Sequence, residues 1–175
     1  MSEPPTDPLD AIRKELKRLE EDCIFSSKAH FNASRRWSHY HYWLGVPAVV
    51  LSAAAGTAFF KDLPDLAGAM ASTVAVLTAL STFLKPSDRS AAHKTSGDQY
   101  LTLRNDSRVF REIGMSMACD TQAALEQMDG FSKRRNELNQ GAYQFSRGDF
   151  EKARKGIEQG EALHEVDGGG PHVRS

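Results

Sequence analysis

A chain of 175 residues with 22 Lys and Arg against 23 Asp and Glu carries a formal net charge of -1, which excludes a dedicated nucleic-acid binder with its basic excess. Two cysteines, Cys23 and Cys119, lie far apart and outside any Cys/His spacing, so neither a disulfide scaffold nor a structural zinc site is implied. The opening residues Met1-Ser-Glu-Pro-Pro-Thr-Asp-Pro8 have neither the basic start nor the apolar core of a signal peptide, so any membrane segment is expected inside the chain.

The first helix is announced by Asp7, whose carboxylate can accept from orphan amides, and by Pro8, whose fixed φ suits the first helical position. From Leu9 the phase runs through Ile12, Leu16, Leu19 and Cys23, then through Ser26, His30, Ala33, Trp37, Tyr40 and Leu44, at steps of three and four. One long helix is predicted, with 8–41 cytoplasmic. Its Leu9–Cys23 stretch resembles a coiled-coil seam, packed either within the chain or against another copy.

Tyr42 to Phe60 holds no charged residue, and after Lys61-Asp62-Leu63-Pro64-Asp65 a second uncharged run extends from Leu66 to Leu84. At 1.5 Å per residue, each run can cross a hydrocarbon core of roughly 30 Å. A soluble helix keeps a polar stripe, whereas these two runs are free of charge on every side and are flanked by Trp37, Tyr40, Tyr42 and Trp43, residues that suit a membrane interface. Two transmembrane helices, 42–60 and 66–84, are therefore expected to form a tight hairpin. Lys28, Arg35 and Arg36 before the first, with Lys85, Arg89 and Lys94 after the second, place both termini in the cytoplasm.

Pro86-Ser87-Asp88 is read as a helix start with Ser87 or Asp88 as cap, opening a cytoplasmic helix over 87–129. Its apolar phase is Tyr100, Leu103, Ser107, Phe110, Gly114, Met117, Thr121, Ala124 and Met128, which suits packing beside the first helix in a bundle. Gly130 is expected to break it. C-terminal helices follow over 131–166, with Leu138, Ala142 and Phe145 on one face, a turn at Arg147-Gly148-Asp149, and Phe150, Ala153, Ile157 and Leu163 on the last face. A disordered tail is expected over 167–175. The fold class is thus all-α, a single domain over 1–166.

No phosphate loop, nucleophile elbow or HExxH pair is present, and no catalytic residue, cofactor or metal is expected. His39 and His41 stand two residues apart on a helix, about 200° around it, and so cannot easily share a metal. Lys133-Arg134-Arg135 is read as a solvated turn. The informative chemistry lies in the spans. Projection of the second places Leu66, Met70, Thr73, Leu77, Leu80 and Leu84 on a lipid side, opposite the small residues Gly68, Ala71, Ser72, Ala75, Thr78, Ala79 and Thr82. The first span has a narrower small stripe of Gly45, Ser52 and Gly56, with Pro47 expected to kink its start. Two readings of these stripes stand: they pack against each other within one hairpin, or the broader one lines a conduit between protomers.

The stretch from Arg35 to about Arg111 resembles the SLATT family of two-transmembrane effector domains from bacterial anti-phage conflict systems. The resemblance is carried by Arg35-Arg36-Trp37 leading into Tyr42-Trp43-Leu44-Gly45-Val46-Pro47, by Leu51-Ser52-Ala53-Ala54-Ala55-Gly56 and the short acidic turn, by Phe83-Leu84-Lys85-Pro86, and by His93-Lys94 with Gly97-Asp98-Gln99-Tyr100-Leu101-Thr102-Leu103-Arg104. It implies an oligomeric effector of the inner (plasma) membrane that forms pores or perturbs the bilayer and so kills or arrests the infected cell. The partners so implied are the lipid bilayer, further copies of the chain and a separately encoded sensor or nucleotide-signalling protein, with no nucleic acid. The other class of function is a non-enzymatic membrane anchor or scaffold that recruits a cytosolic partner.

Overall fold

The computed structural model describes residues 7–118 and 120–161. Cys119, Leu163, the far end of the C-terminal helices and the tail 167–175 lie outside these residues. The described chain is all-helical: α1 (Pro8–Phe60), α2 (Pro64–Leu84), α3 (Pro86–Val109), a π-helical turn (Phe110–Gly114), α4 (Met115–Ala118), α5 (Thr121–Gly141) and α6 (Arg147–Glu158). It divides into two compact units, one from Met1–Asn32 with Lys94–Ser175 and one from Ala33–His93.

At the start of α1 the Leu9 amide donates to Asp7 Oδ1 at 3.1 Å, the cap the sequence announces. The helix then runs unbroken for 53 residues through Pro47. A three-residue connector follows, with Asp62 at φ 56° and the Leu63 amide bonded back to the Ala58 carbonyl. Pro64 opens α2 at its first helical turn. The end of α2 is a single left-handed residue, Lys85, at φ 45°, ψ 54°, whose amide donates to the Ser81 carbonyl. Pro86 begins α3 immediately, so that helix starts ahead of Ser87, and its joint to α2 is one residue long.

Two boundaries differ from the expected ones. Gly130 does not break a helix: α5 starts at Thr121, capped by Asp120, which accepts from the Gln122 amide, and continues through Gly130 to Gly141. A glycine inside a helix costs about 1 kcal/mol relative to alanine, and the adjoining Phe131, packed on the core clusters, outweighs it. Consequently Lys133-Arg134-Arg135 is helical, with Arg134 paired to Asp106 and Arg135 to Asp22. Arg147-Gly148-Asp149 is likewise the first turn of α6, held by a capping box in which the Ser146 hydroxyl accepts the Asp149 amide and the Asp149 carboxylate accepts the Ser146 amide.

The π-helical turn changes which side chains face inward. Gly114 sits beneath the Phe110 ring, where a Cβ would come within 2.6 Å of Cδ2, so only glycine fits this turn undisturbed. One extra residue in the turn rotates the chain beyond it. Met115 becomes buried, at 6 % exposure, while Met117, which the unbroken three-four phase puts inside, is 76 % exposed.

The core of the first unit is two clusters along α1. Ile12 and Leu16 meet Met115 and Ala124, with Phe110, Met128 and Phe131 against them. Leu19 and Cys23 meet Tyr100 and Leu103, with Phe131 and Leu138 alongside. Beside them the Arg111 guanidinium grips the Glu20 carboxylate through Nε at 2.8 Å and Nη2 at 3.0 Å, both side chains largely buried. That bidentate bond raises the Arg111 pKa, so the charge is permanent. Near α6, the Asn32 amide donates to the Asp149 carbonyl, and His30 lies between the rings of Tyr100 and Phe145.

Leu16 is fully enclosed. Leu16→Ala should lower stability by about 2–5 kcal/mol, whereas Met117→Ala should change it by less than about 0.5 kcal/mol. Thermal melts of the two variants check the rotation made by the π turn: a larger loss at Met117 refutes it.

Burial pushes both the Cys23 thiol and the Tyr100 phenol up to about 12. The unfolded chain releases these protons from about pH 9 for the thiol and pH 10 for the phenol. The folded state therefore binds more protons above pH 9, and the stability they contribute is whole below that value and lost as pH rises towards 12. Denaturant midpoints measured from pH 8 to 12 should fall, and Cys23→Ala should flatten part of the fall. An unchanged slope in that variant refutes the assignment to Cys23.

Candidate functional site

In the unit Ala33–His93 the apolar residues are outside rather than inside. Almost no residue in the most apolar stretch of α1, and none in that of α2, is buried. Val46, Val49, Val50, Val76 and Leu80 are exposed, and Phe60 and Phe83 stand 86 % and 85 % free. A contiguous exposed apolar surface of this kind marks a face that meets a membrane or another protein surface. The soluble alternative, two core helices, requires the opposite distribution.

Each helix carries three stripes. On α2, Ala67 is buried and Met70, Val74, Leu77, Ser81 and Leu84 are half-buried. These positions step by three and four, the spacing of one helix face laid along another. On α1 the matching positions are Leu44, Ala48, Leu51, Ala54, Ala55 and Ala58. The seam thus takes Met70, Leu77 and Leu84 away from the lipid side to which the sequence projection assigns them.

The small residues stand apart from that seam. Gly68, Ala71, Ser72, Ala75, Thr78, Ala79 and Thr82 are all exposed, as are Ser52 and Gly56, while Gly45 is half-buried at the edge. A Cβ built on Gly45, Gly56 or Gly68 meets nothing within 4 Å. The two small stripes therefore do not pack against each other within one chain. A third stripe of α2, with Val76, Leu80 and Phe83, is exposed and bulky. The hydroxyls of Ser72, Thr73 and Thr82 each donate to the carbonyl four residues back, at 2.9, 3.0 and 2.9 Å.

At the end of this unit away from the connector, the chain leaves along α1 and returns along α3 to the same place. The Ser90 hydroxyl donates to the Ser34 carbonyl at 2.9 Å, so the contact of the two hydroxyls at 3.2 Å is a bond from Ser34 to Ser90. One helical turn on, the Trp37 ring carries two guanidinium groups, Arg36 at 5.4 Å and Arg89 at 4.7 Å from its centroid. The sequence locates Trp37 as an interfacial aromatic. Its pairing with Arg89 needs contact across the chain, which no local pattern reveals.

The first unit has an open cleft of ≈ 280 Å³ lined by Ser26, His30, Tyr100, Asn139 and Phe145. The Tyr100 hydroxyl donates to Asn139 Oδ1 at 2.5 Å. His39 and His41 are exposed, each against one neighbouring aromatic ring. Among the described residues no group of three or more His, Cys, Asp or Glu could hold a metal ion. Compared with protein-family models, with curated proteins and with solved structures, the chain gives no match.

The Ser34 and Ser90 hydroxyl oxygens stand 3.2 Å apart, so the sulfurs of cysteines in their places can reach each other. In a background with Cys23 and Cys119 replaced by alanine, Ser34→Cys/Ser90→Cys should close an intramolecular disulfide on mild oxidation, seen as a reduction-sensitive shift in gel mobility. Failure to close would show that the two strands of chain do not meet here.

Proposed function

We propose that this protein is a multi-pass protein of the inner membrane, with α1 from Tyr42 and α2 spanning the bilayer as an antiparallel hairpin and both termini cytoplasmic. Copies of it associate through their small faces into an oligomer that opens or perturbs the membrane, in keeping with the SLATT resemblance and its role in anti-phage defence. The observation that carries this reading is the unburied apolar surface of α1 and α2. An acyl-chain environment satisfies that surface, and a helix satisfies its own backbone there.

The sidedness of the hairpin supports association. On both helices the small stripe lies about a third of a turn from the seam, in the same rotational sense along the chain. Because antiparallel helices rotate oppositely when viewed from one end, both small stripes then come to one side of the hairpin. Gly45, Ser52 and Gly56 join Gly68, Ala75 and Thr82 there, while Val46, Val50, Val76 and Leu80 take the other side. A helix pair with one side small and the other bulky suits close contact with neighbouring protomers on the small side and lipid on the bulky one. With no charge in either span, such a conduit discriminates weakly between ions. The cytoplasmic helices would hold it closed until a separately encoded partner shifts the equilibrium.

Ala75→Leu adds bulk to the small side and should block the approach of neighbouring helices. Leu80→Ala removes bulk from the lipid side. In cells expressing the activated protein, Ala75→Leu should relieve toxicity at equal membrane abundance and Leu80→Ala should not. The same pair tested for dye leakage from liposomes should leak less and unchanged, respectively. Equal toxicity for both inserted variants, or sealed liposomes with the wild-type protein, leaves a non-enzymatic scaffold as the better account.

A further inference from the structure

Three helices of the first unit leave an open groove between them, and each lines it with a pair of residues four apart. The α1 helix gives Asp22 and Ser26, α5 gives Arg135 and Asn139, and α6 gives Phe150 and Arg154, with Phe25 beside them, around a space of ≈ 500 Å³. Ser26 and Asn139 also line the smaller cleft of His30, Tyr100 and Phe145, so the two spaces adjoin. The walls are held in place. The capping box of Ser146 and Asp149 sets the start of α6, and beyond its end Lys28 of α1 grips Glu161 at 2.9 Å.

Rings line both spaces, whereas the guanidiniums line only the larger one. The Phe150 ring lies 5.9 Å from that of Phe25 and 6.3 Å from that of Phe145, yet 37 % of the residue stays exposed. Arg135 Nη1 donates to Asp22 Oδ2 at 2.6 Å, which neutralises and orients the guanidinium, but its Nε is buried with no acceptor. A buried donor in that state is destabilising until an acceptor reaches it. Arg154 Nε stands 3.7 Å from Glu158 Oε1, an exposed ion pair too long for a hydrogen bond, so its N–H groups have no acceptor among the described residues. Asn139 takes the Tyr100 hydroxyl on Oδ1, which leaves its amide hydrogens over. Each of these unspent groups is a donor.

We propose that this groove binds a small aromatic anion, its ring against Phe25 and Phe150 and its carboxylate or phosphate on Arg154, Arg135 and Asn139. The volume is that of a small-molecule site, and so is the lining, mostly apolar rings with a few convergent polar groups. Aromatic faces and edges favour a further ring over an aliphatic chain of the same area. A guanidinium fork matches the paired oxygens of a carboxylate or a phosphate. A neutral ring would leave the donors unanswered, and an inorganic anion would leave the rings so. The groove lies wholly within the first unit, so its occupancy does not depend on the membrane reading.

The test uses the full chain, purified in neutral detergent, with 4-fluorophenylalanine in place of Phe150, so that the fluorine resonance reports on the groove. Phenyl phosphate and phenylacetate are the probes; benzyl alcohol supplies a ring without charge, and inorganic phosphate a charge without a ring. At least one of the two ring anions should shift the resonance saturably and bind roughly tenfold more tightly than benzyl alcohol or inorganic phosphate. The tighter of the two identifies the acidic group. Arg154→Gln, at an exposed position where the melting temperature should not change, should weaken that binding roughly tenfold and leave benzyl alcohol unaffected. Arg147→Gln, on the same helix with its side chain 91 % exposed, should leave binding as it was. No saturable shift with either ring anion, benzyl alcohol or inorganic phosphate matching them, or undiminished binding in a folded Arg154→Gln variant overturns the proposal.

Discussion

A polypeptide can leave water for hydrocarbon only where every backbone amide and carbonyl already has a partner, and helices meet that condition by themselves. The two charge-free runs of this chain, 42–60 and 66–84, are helical and meet it. Their apolar side chains are almost all unburied within the chain. The back-bonded hydroxyls of Ser72, Thr73 and Thr82 extend the same condition to side chains. On each run the half-buried residues form one stripe, and the remaining circumference is exposed.

The other unit buries its apolar side chains. Its core is a row of aliphatic and aromatic side chains on α1, α3 and α5, and its charges are mostly spent on one another. The Glu20–Arg111 pair differs from the rest because both partners are largely buried. Removing one partner would strand the other charge, which is far more costly than losing a surface pair. The pair therefore pins the π-helical turn to α1 in one register.

Much of this was legible in the sequence, and the exceptions share a cause. Helix positions, the two charge-free runs and the Asp7 cap followed from local chemistry, and local chemistry governs them in the structure. The core positions Leu16, Leu19, Tyr100 and Leu103 followed from the three-four phase. That phase fails after Phe110, because a π turn is decided by how Gly114 fits under a ring and not by periodicity. Gly130 was misjudged because a helix former's deficit is small beside the packing of the adjoining Phe131. On α2 the small stripe itself was readable. Its partner was not, since projection of one helix says which residues share a face but not which face meets α1, and Leu77 went to the seam. The Ser34–Ser90 bond and the Arg89–Trp37 contact join residues more than fifty positions apart and leave no mark in any local window.

The π-helical turn also decides a matter of redox chemistry. It exchanges two thioethers, sheltering Met115 in the core and turning Met117 out to solvent. Oxidation of a methionine makes a flexible apolar side chain polar and chiral, which is damaging inside a core and harmless outside it. In a regular helix the residue rotated inward here would be Met117. The extra residue of the turn leaves the more accessible sulfur where an oxidant can be absorbed without cost to the fold, and keeps the one that the Leu16 cluster needs out of reach.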